Sequence, residues 1–139
     1  MKAGSAQFQA DNTKNGNIFE RTVAVKLLDE GYSILGYDHP IPELGIEIDI
    51  VAEKGGRKYY VECKSGKKPK ADSVRRGLCN ASIWHAGGDP NIPFILFTEF
   101  AYNKNTNCET MIKFALAKGW ILEHRSTPML ANTDLSNFL

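Results

Sequence analysis

The sequence predicts an α/β domain, a mixed sheet with helices on both faces whose first strands form an antiparallel meander. Three observations carry that reading. Apolar residues recur at helical spacing near the start, at Ile18, Val23, Ala24, Leu27 and Leu28. Two β-type runs, Ile46 to Glu53 and Arg57 to Cys63, flank Gly55-Gly56, a dipeptide suited to the positive φ angles of a two-residue hairpin turn. A continuous apolar run from Phe94 to Thr98 is of the kind buried on both faces of a sheet.

The remaining elements fall between these marks. The first helix spans residues 17 to 30, and Gly31 follows as its cap. Tyr32 to Tyr37 is a short strand, closed by the breakers Asp38-His39-Pro40-Ile41-Pro42. After the hairpin, Asp72 or Ser73 caps a helix running to about His85, with Val74, Leu78 and Ala81 inward. Ser82 and His85 continue that stripe and Ile83 falls off it. Gly87-Gly88-Asp89-Pro90 ends the helix. Thr106 to Lys118 is a third helix, closed by Gly119, and Trp120 to Glu123 a last strand. The order is α-β-β-β-α-β-α-β.

With 139 residues the chain is expected to form one domain with its own core. Residues 1–15 are polar and aperiodic and are expected to form a flexible arm. Residues 16–125 carry the domain, and 126–139 form a tail whose Leu130, Leu135, Phe138 and Leu139 suit packing on the body or on a partner. The tail and the Phe94 to Phe100 segment are the candidate surfaces for a homodimer. No apolar run approaches the ~20 residues that span a bilayer, and no signal-peptide layout opens the chain. Cys63, Cys79 and Cys108 are odd in number and unpaired in spacing, which argues for an intracellular, reduced protein and against a Cys-ligated zinc.

The net charge is only +1, yet six of the 17 basic residues fall in the 13 positions from Lys64 to Arg76: Lys64, Lys67, Lys68, Lys70, Arg75 and Arg76. Such a run is either a solvated face or a place to hold a polyanion.

The hairpin carries the chemistry. With Gly55-Gly56 as its loop, paired residues have numbers summing to 111, so Asp49 falls opposite Glu62 and Glu47 opposite Lys64. Alternation by two then projects Glu47, Asp49, Glu62 and Lys64 from one face, and Ile48, Ile50, Val61 and Cys63 from the other. Carboxylates directly across a strand pair stand about 4.5–5.5 Å apart at Cβ and repel. A hard divalent cation such as Mg²⁺ removes the repulsion. Lys64 beside them suits orienting a water and neutralising charge on a phosphoryl transition state. The alternative is a solvent-facing charge ladder in which Lys64 balances the acids.

Asp49, twelve intervening residues and then Glu62-Cys63-Lys64 resembles the bipartite core of the PD-(D/E)XK nuclease superfamily, the restriction-endonuclease-like fold. Upstream, Gly16-Asn17-Ile18-Phe19-Glu20-Arg21 is similar to the Gly-x-x-x-Glu segment on the first helix of several branches, among them archaeal Holliday-junction resolvases and Mrr-type restriction enzymes. Gly45-Ile46-Glu47-Ile48-Asp49-Ile50 resembles the strand that carries their metal-binding Asp. The resemblance covers roughly residues 16–97, with Ile48 standing where the motif's name has Pro.

It implies that Asp49, Glu62 and the backbone carbonyl of Cys63 ligate Mg²⁺, with Mn²⁺ able to substitute. Lys64 would position the water, and Glu20 would reach the site from the helix, directly or through water. Glu47 is an extra acid that either joins the site or, the preferred reading, salt-bridges Lys64 and holds it. Ser65, Lys67, Lys68, Lys70, Arg75 and Arg76 are the candidate DNA contacts, with Asn80 on the same helix. The implied activity is hydrolysis of DNA phosphodiesters, structure-selective as in a junction resolvase or restriction- and repair-like. The alternative is a non-catalytic nucleic-acid-binding or assembly subunit of the same fold. His39, His85 and His124 lack metal-ligand spacing and are read as structural or surface residues, and Trp84 and Trp120 as core.

Overall fold

The computed structural model describes residues 17–66, 70–99 and 106–129. The expected arm, most of the tail, Lys67, Lys68 and Phe100 lie outside them. Helix α1 covers residues 17–29. It is followed by β1 (Ser33–Ile41), β2 (Ile46–Lys54), β3 (Arg57–Lys64), α2 (Ala71–Gly87), β4 (Phe94–Thr98), α3 (Thr106–Lys118) and β5 (Glu123–Ser126). The element order is the one the sequence predicts. The five strands form one sheet in the order β1-β2-β3-β4-β5. β1, β2 and β3 are antiparallel, and β3, β4 and β5 run parallel.

Two apolar layers cover the two faces. On one side Phe19, Val23, Ala24 and Leu27 of α1 pack on Ile50, Ala52, Val61, Ile95 and Phe97. On the other, Val74, Leu78 and Ala81 of α2 and Cys108, Ile112 and Ala115 of α3 pack on Ile46, Ile48, Val51, Tyr60, Phe94 and Leu96. All five residues of β4 are buried between β3 and β5, so Phe94–Thr98 forms core and offers no dimer surface. No helix among the described residues is long and apolar enough to cross a membrane.

Local chemistry explains the boundaries. At the end of α1 the Tyr32 amide donates to the Leu27 carbonyl and the Gly31 amide to that of Leu28, a paired closure made possible by φ +92° at Gly31. Gly55 and Gly56 have φ +60° and +78°, the two left-handed residues of the turn that matches strand twist. α2 begins at Ala71, with Lys70 as N-cap and no side-chain cap, so neither Asp72 nor Ser73 caps it. Asp72 instead takes Arg75, with 2.7 Å between Oδ1 and Nη1. Within α2 the expected inward residues are buried; His85 is exposed, while Ile83 packs on the core beside Trp84. In α1 the expected stripe holds except at Leu28, which is 46% exposed.

Two strands differ from expectation. β5 starts at Glu123, three residues late, because Ile121 is drawn into the core before the chain joins β4. β1 runs through Asp38-His39-Pro40 and turns only at residues 42–45. Pro40 is tolerated because β1 is an edge strand with a free side. Asp38 has φ +50°, a left-handed conformation that Asp adopts more readily than most residues.

Candidate metal centre and its acidic cluster

The hairpin register is the predicted one from Lys54↔Arg57 to Ile50↔Val61, every pair summing to 111. There the ladder stops. The Cys63 amide, beyond the last β2–β3 pair, donates to Asp49 Oδ2 at 2.8 Å. A side chain thus takes the place of a backbone acceptor, and β2 parts from β3 beyond it.

The parting has a cause in β1. Tyr37 pairs with Ile50 and His39 with Ile48, so Asp38 stands across from Asp49. Ile46 and Ile48 belong to the α2–α3 layer, whereas Ile50 and Ala52 belong to the α1 layer. β1 changes face at the same place: Tyr37 packs with the α1 layer and His39 lies against Tyr60 of the other. The left-handed Asp38 is where the alternation slips, and Asp49 sits at that slip. The prediction that Glu47, Asp49, Glu62 and Lys64 share one face therefore fails, as does the expectation that Ile48 faces with Ile50. Strict alternation holds for β3, where Tyr60, Glu62 and Lys64 all turn toward α2.

Four acids meet around this slip. Single carboxylate oxygens of Glu20, Asp38 and Asp49 lie within 4.8 Å of one another. The Glu62 carboxyl is close enough to that of Asp49 for a shared proton. Glu62 is 3% exposed, and its Oε2 is buried with no hydrogen-bond partner among the described residues. Lys64 Nζ stands 3.6 Å from Glu62 Oε1. That pairing, and not one with the exposed Glu47, is the ion pair Lys64 makes among the described residues.

Burial and mutual repulsion raise the proton affinity of the cluster. Glu20 is pushed up to about 7 by burial first, then by the charges of Asp49 and Asp38, with Arg21 opposing. Asp49 is raised by burial against the pull of the Cys63 amide. Glu62 is raised by burial and by Asp49, with Lys64 opposing. Arg21 itself lies over the Tyr37 ring at 3.9 Å, so Glu20 is not simply a surface acid paired with its neighbour.

Secondary structure holds these groups in place. Phe19 and Val23, buried on either side of Glu20 in sequence, fix the first turns of α1 against the sheet. The chain leaving β3 is tied to the end of β4, since the Glu99 amide donates to the Lys64 carbonyl at 3.1 Å and the Gly66 amide to Glu99 Oε1 at 2.7 Å. Gly77 makes room from α2: a Cβ there would stand 3.0 Å from Lys64 Cε and 3.3 Å from Glu62 Cγ. Ser65 is half-buried behind Lys64, and Lys70, Arg75 and Arg76 are exposed at the start of α2.

Of the histidines, His39 and His85 are exposed and His124 is bonded within the fold. His124 Nε2 lies 2.7 Å from Thr98 Oγ1, and burial holds its ring pKa down at about 4. Trp84 stacks at 4.7 Å from Tyr60 and donates from Nε1 to the Ile92 carbonyl, and Trp120 packs at 5.3 Å on Phe114.

Two contributors escaped the sequence reading. In the sequence Asp38 falls in a run that reads as strand-breaking. Had the strand been carried through Pro40, which an edge permits, the four-residue turn at 42–45 would have paired Ile41 with Ile46 and so Asp38 with Asp49. Gly77 had a signal too, as a glycine in mid-helix, where it costs about 1 kcal/mol against Ala unless something needs the space.

Fold and site together define a restriction-endonuclease-like α/β domain with a carboxylate cluster and one lysine at the parting of β2 and β3. No protein-family model matches the chain, and no curated protein sequence does. Solved structures do resemble it. An XisH-family protein from Nostoc punctiforme aligns with TM-score 0.55 and 18% identity over 75% of this chain and 86% of its own. A repair endonuclease from Pyrococcus abyssi gives 0.51 and 18% over 76% of this chain but 42% of its own. EndoMS, solved in complex with double-stranded DNA, gives 0.51 and 16% over 73% and 38%. At these identities the likeness is one of fold, and this chain spans less than half of either endonuclease.

Proposed function

We propose that the chain is a metal-dependent endonuclease that hydrolyses DNA phosphodiesters at Asp49, Glu62 and Lys64. One observation carries the reading. Asp49 leaves the β-ladder to stand beside a buried Glu62 whose Oε2 has no hydrogen-bond partner among the described residues, with Lys64 next to Glu62. A buried acid with an unsatisfied oxygen is costly, and two adjoining carboxylates more so. The oxygen-only donor set fits a hard divalent cation such as Mg²⁺ or Mn²⁺. Asp49, Glu62 and the Cys63 carbonyl would hold it. Such an ion, when bound, supplies positive charge for a phosphoryl oxygen and acidifies water.

The chain's own groups do the rest. Lys64, partly exposed and neighbour to Glu62, orients the attacking water and meets the charge that grows on the phosphate. Glu20 binds its proton with an affinity near neutrality, which suits it to exchange one with solvent at working pH. Ser65, Lys70, Arg75 and Arg76, with Lys67 and Lys68 from outside the described residues, extend the basic run along which a phosphate backbone would lie. Two of the structural neighbours are endonucleases by name and one is solved on double-stranded DNA, which favours DNA as the polymer.

The test is a cleavage panel of duplex, single-stranded, flapped and four-way DNA, with and without Mg²⁺ or Mn²⁺. Wild type should cut in metal only, and Asp49→Asn, Glu62→Gln and Lys64→Ala should each lose about a hundredfold or more while keeping their circular dichroism. Equal cutting by the variants would remove the site. Salt-sensitive DNA binding without any cutting would instead leave a binding or assembly subunit.

A further inference from the structure

The turn of the β2–β3 hairpin lies at the opposite end of those strands from the acidic cluster, and it is basic: Lys54-Gly55-Gly56-Arg57-Lys58. Lys54 and Arg57 are direct cross-strand partners. Opposed like charges cost stability. Neither cation makes an ion pair among the described residues. A basic fringe on an edge strand would guard it against pairing, but β2 and β3 are interior strands.

Both cations are seated on rings. Lys54 Nζ stands 4.9 Å over Tyr32 and Arg57 Cζ 5.6 Å over Tyr59. The two rings meet edge to face at 5.4 Å. Arg57 is held further by its Nε, which donates to the Asn91 carbonyl at 3.3 Å. Tyr59 pairs with Ala52 and packs on the α1 layer, as does Tyr32. Alternation by two puts Lys54 and Arg57 on that same face, and Glu53 with Lys58 on the other. Glu30 lies within electrostatic reach of Lys54 but is already held by Arg125 and Lys26.

We propose that this tip is a second nucleic-acid contact, in which Lys54 and Arg57 close on a phosphate of a DNA strand above Tyr32 and Tyr59. The choice of DNA rests on the proposed nuclease function; the contact itself uses none of the acids. Partners flanking a two-residue turn stand about 5.5 Å apart at Cα, so two long side chains can share one phosphate. The guanidinium offers its free oxygens a fork and the ammonium a point charge. The half-buried rings beside them give a sugar or base a face to stack on, the combination of charge and aromatic that holds a strand. An anionic peptide would use the cations alone. Five residues of β2 separate Asp49 from Lys54, about 17 Å of strand. That is the rise of about five base pairs, so one DNA can be held at both places and gain affinity from the second.

Fluorescence-anisotropy titration of the full chain with a long duplex, in EDTA so that nothing is cut, tests this. Lys54→Gln combined with Arg57→Gln should weaken binding about tenfold or more at low salt and lower the log–log salt slope by about 2, each single variant by about 1. Both side chains are exposed, so the variants should melt within a few degrees of wild type. Lys113→Gln, which removes a cation of α3 paired with Glu109, should change neither affinity nor slope. Poly-glutamate should displace the duplex far less well than unlabelled DNA does.

An unchanged slope in the double variant, an equal loss in Lys113→Gln, or poly-glutamate competing as well as DNA would each overturn the inference. Its failure is separable from failure of the nuclease reading. If the tip variants bind as wild type while Asp49→Asn abolishes cleavage, the nuclease stands without this contact. If they lose DNA in a protein that cuts none, the contact stands and the nuclease falls.

Discussion

Asp49 shows how much one residue decides. Its carboxylate replaces a strand carbonyl as acceptor for the Cys63 amide, and that substitution both ends the ladder and brings an acid beside Glu62. A cluster of this kind has a signature in pH. The raised proton affinities of Glu20 and Glu62 mean that, without metal, the folded protein keeps protons that the unfolded chain gives up above about 4.5. The stability they confer is complete below that pH and is lost as pH rises through their folded values, about 7 for Glu20 and about 9 for Glu62. His124 acts in the opposite sense: its depressed value gives stability that is complete above about 6.5 and lost as pH falls toward 4. The two overlap in mild acid, but above 6.5 only the acids matter. Melting in EDTA should therefore fall between pH 6.5 and 8, and Mg²⁺ or Mn²⁺ should flatten the decline. A flat profile in EDTA would mean that the acids are not strained as their burial implies.

Among the elements, α2 is the one whose role is least visible until it is packed. It lies over Glu62 and Lys64, and Gly77 is the point of closest approach. Gly77→Ala would gain about 1 kcal/mol of helix propensity, yet its Cβ needs Lys64 and Glu62 to give by a few tenths of an ångström. The expectation is a melting temperature within a few degrees of wild type and cutting reduced by about tenfold. Gly77→Leu should lose both. Parallel melts and cleavage rates decide, and an alanine variant that cuts at the wild-type rate would show that Lys64 tolerates displacement.

At the scale of the molecule, α1 on one face and α2 with α3 on the other leave the site at one end of the sheet, where β2 and β3 part and the basic run of α2 begins. Among the described residues Arg75 pairs with exposed Asp72, a pair worth little in water and free to exchange for phosphate. DNA binding by the uncleaving Asp49→Asn protein should weaken steeply with salt, and Lys70→Ala or Arg76→Ala should each lower the log–log slope by about 1. Unchanged slopes in both would place the DNA on another face.

The turn at Gly55-Gly56, the strands that follow from it, the helix order and three of the site's side chains could be read from the chain alone, because each depends on near neighbours. Backbone sterics make two glycines a hairpin turn, and the turn sets the register for as long as the ladder lasts. Where the ladder ends is not a local matter. It depends on Asp38 taking a left-handed conformation across from Asp49, on an edge strand that tolerates Pro40, and on a glycine of α2 that lets the sheet's acids lie buried. The repulsion expected between Asp49 and Glu62 as cross-strand partners arises, as an opposed strand pair, between Asp38 and Asp49. Spacing can name residues that share a strand; only packing decides which carboxylates from different elements share a charge.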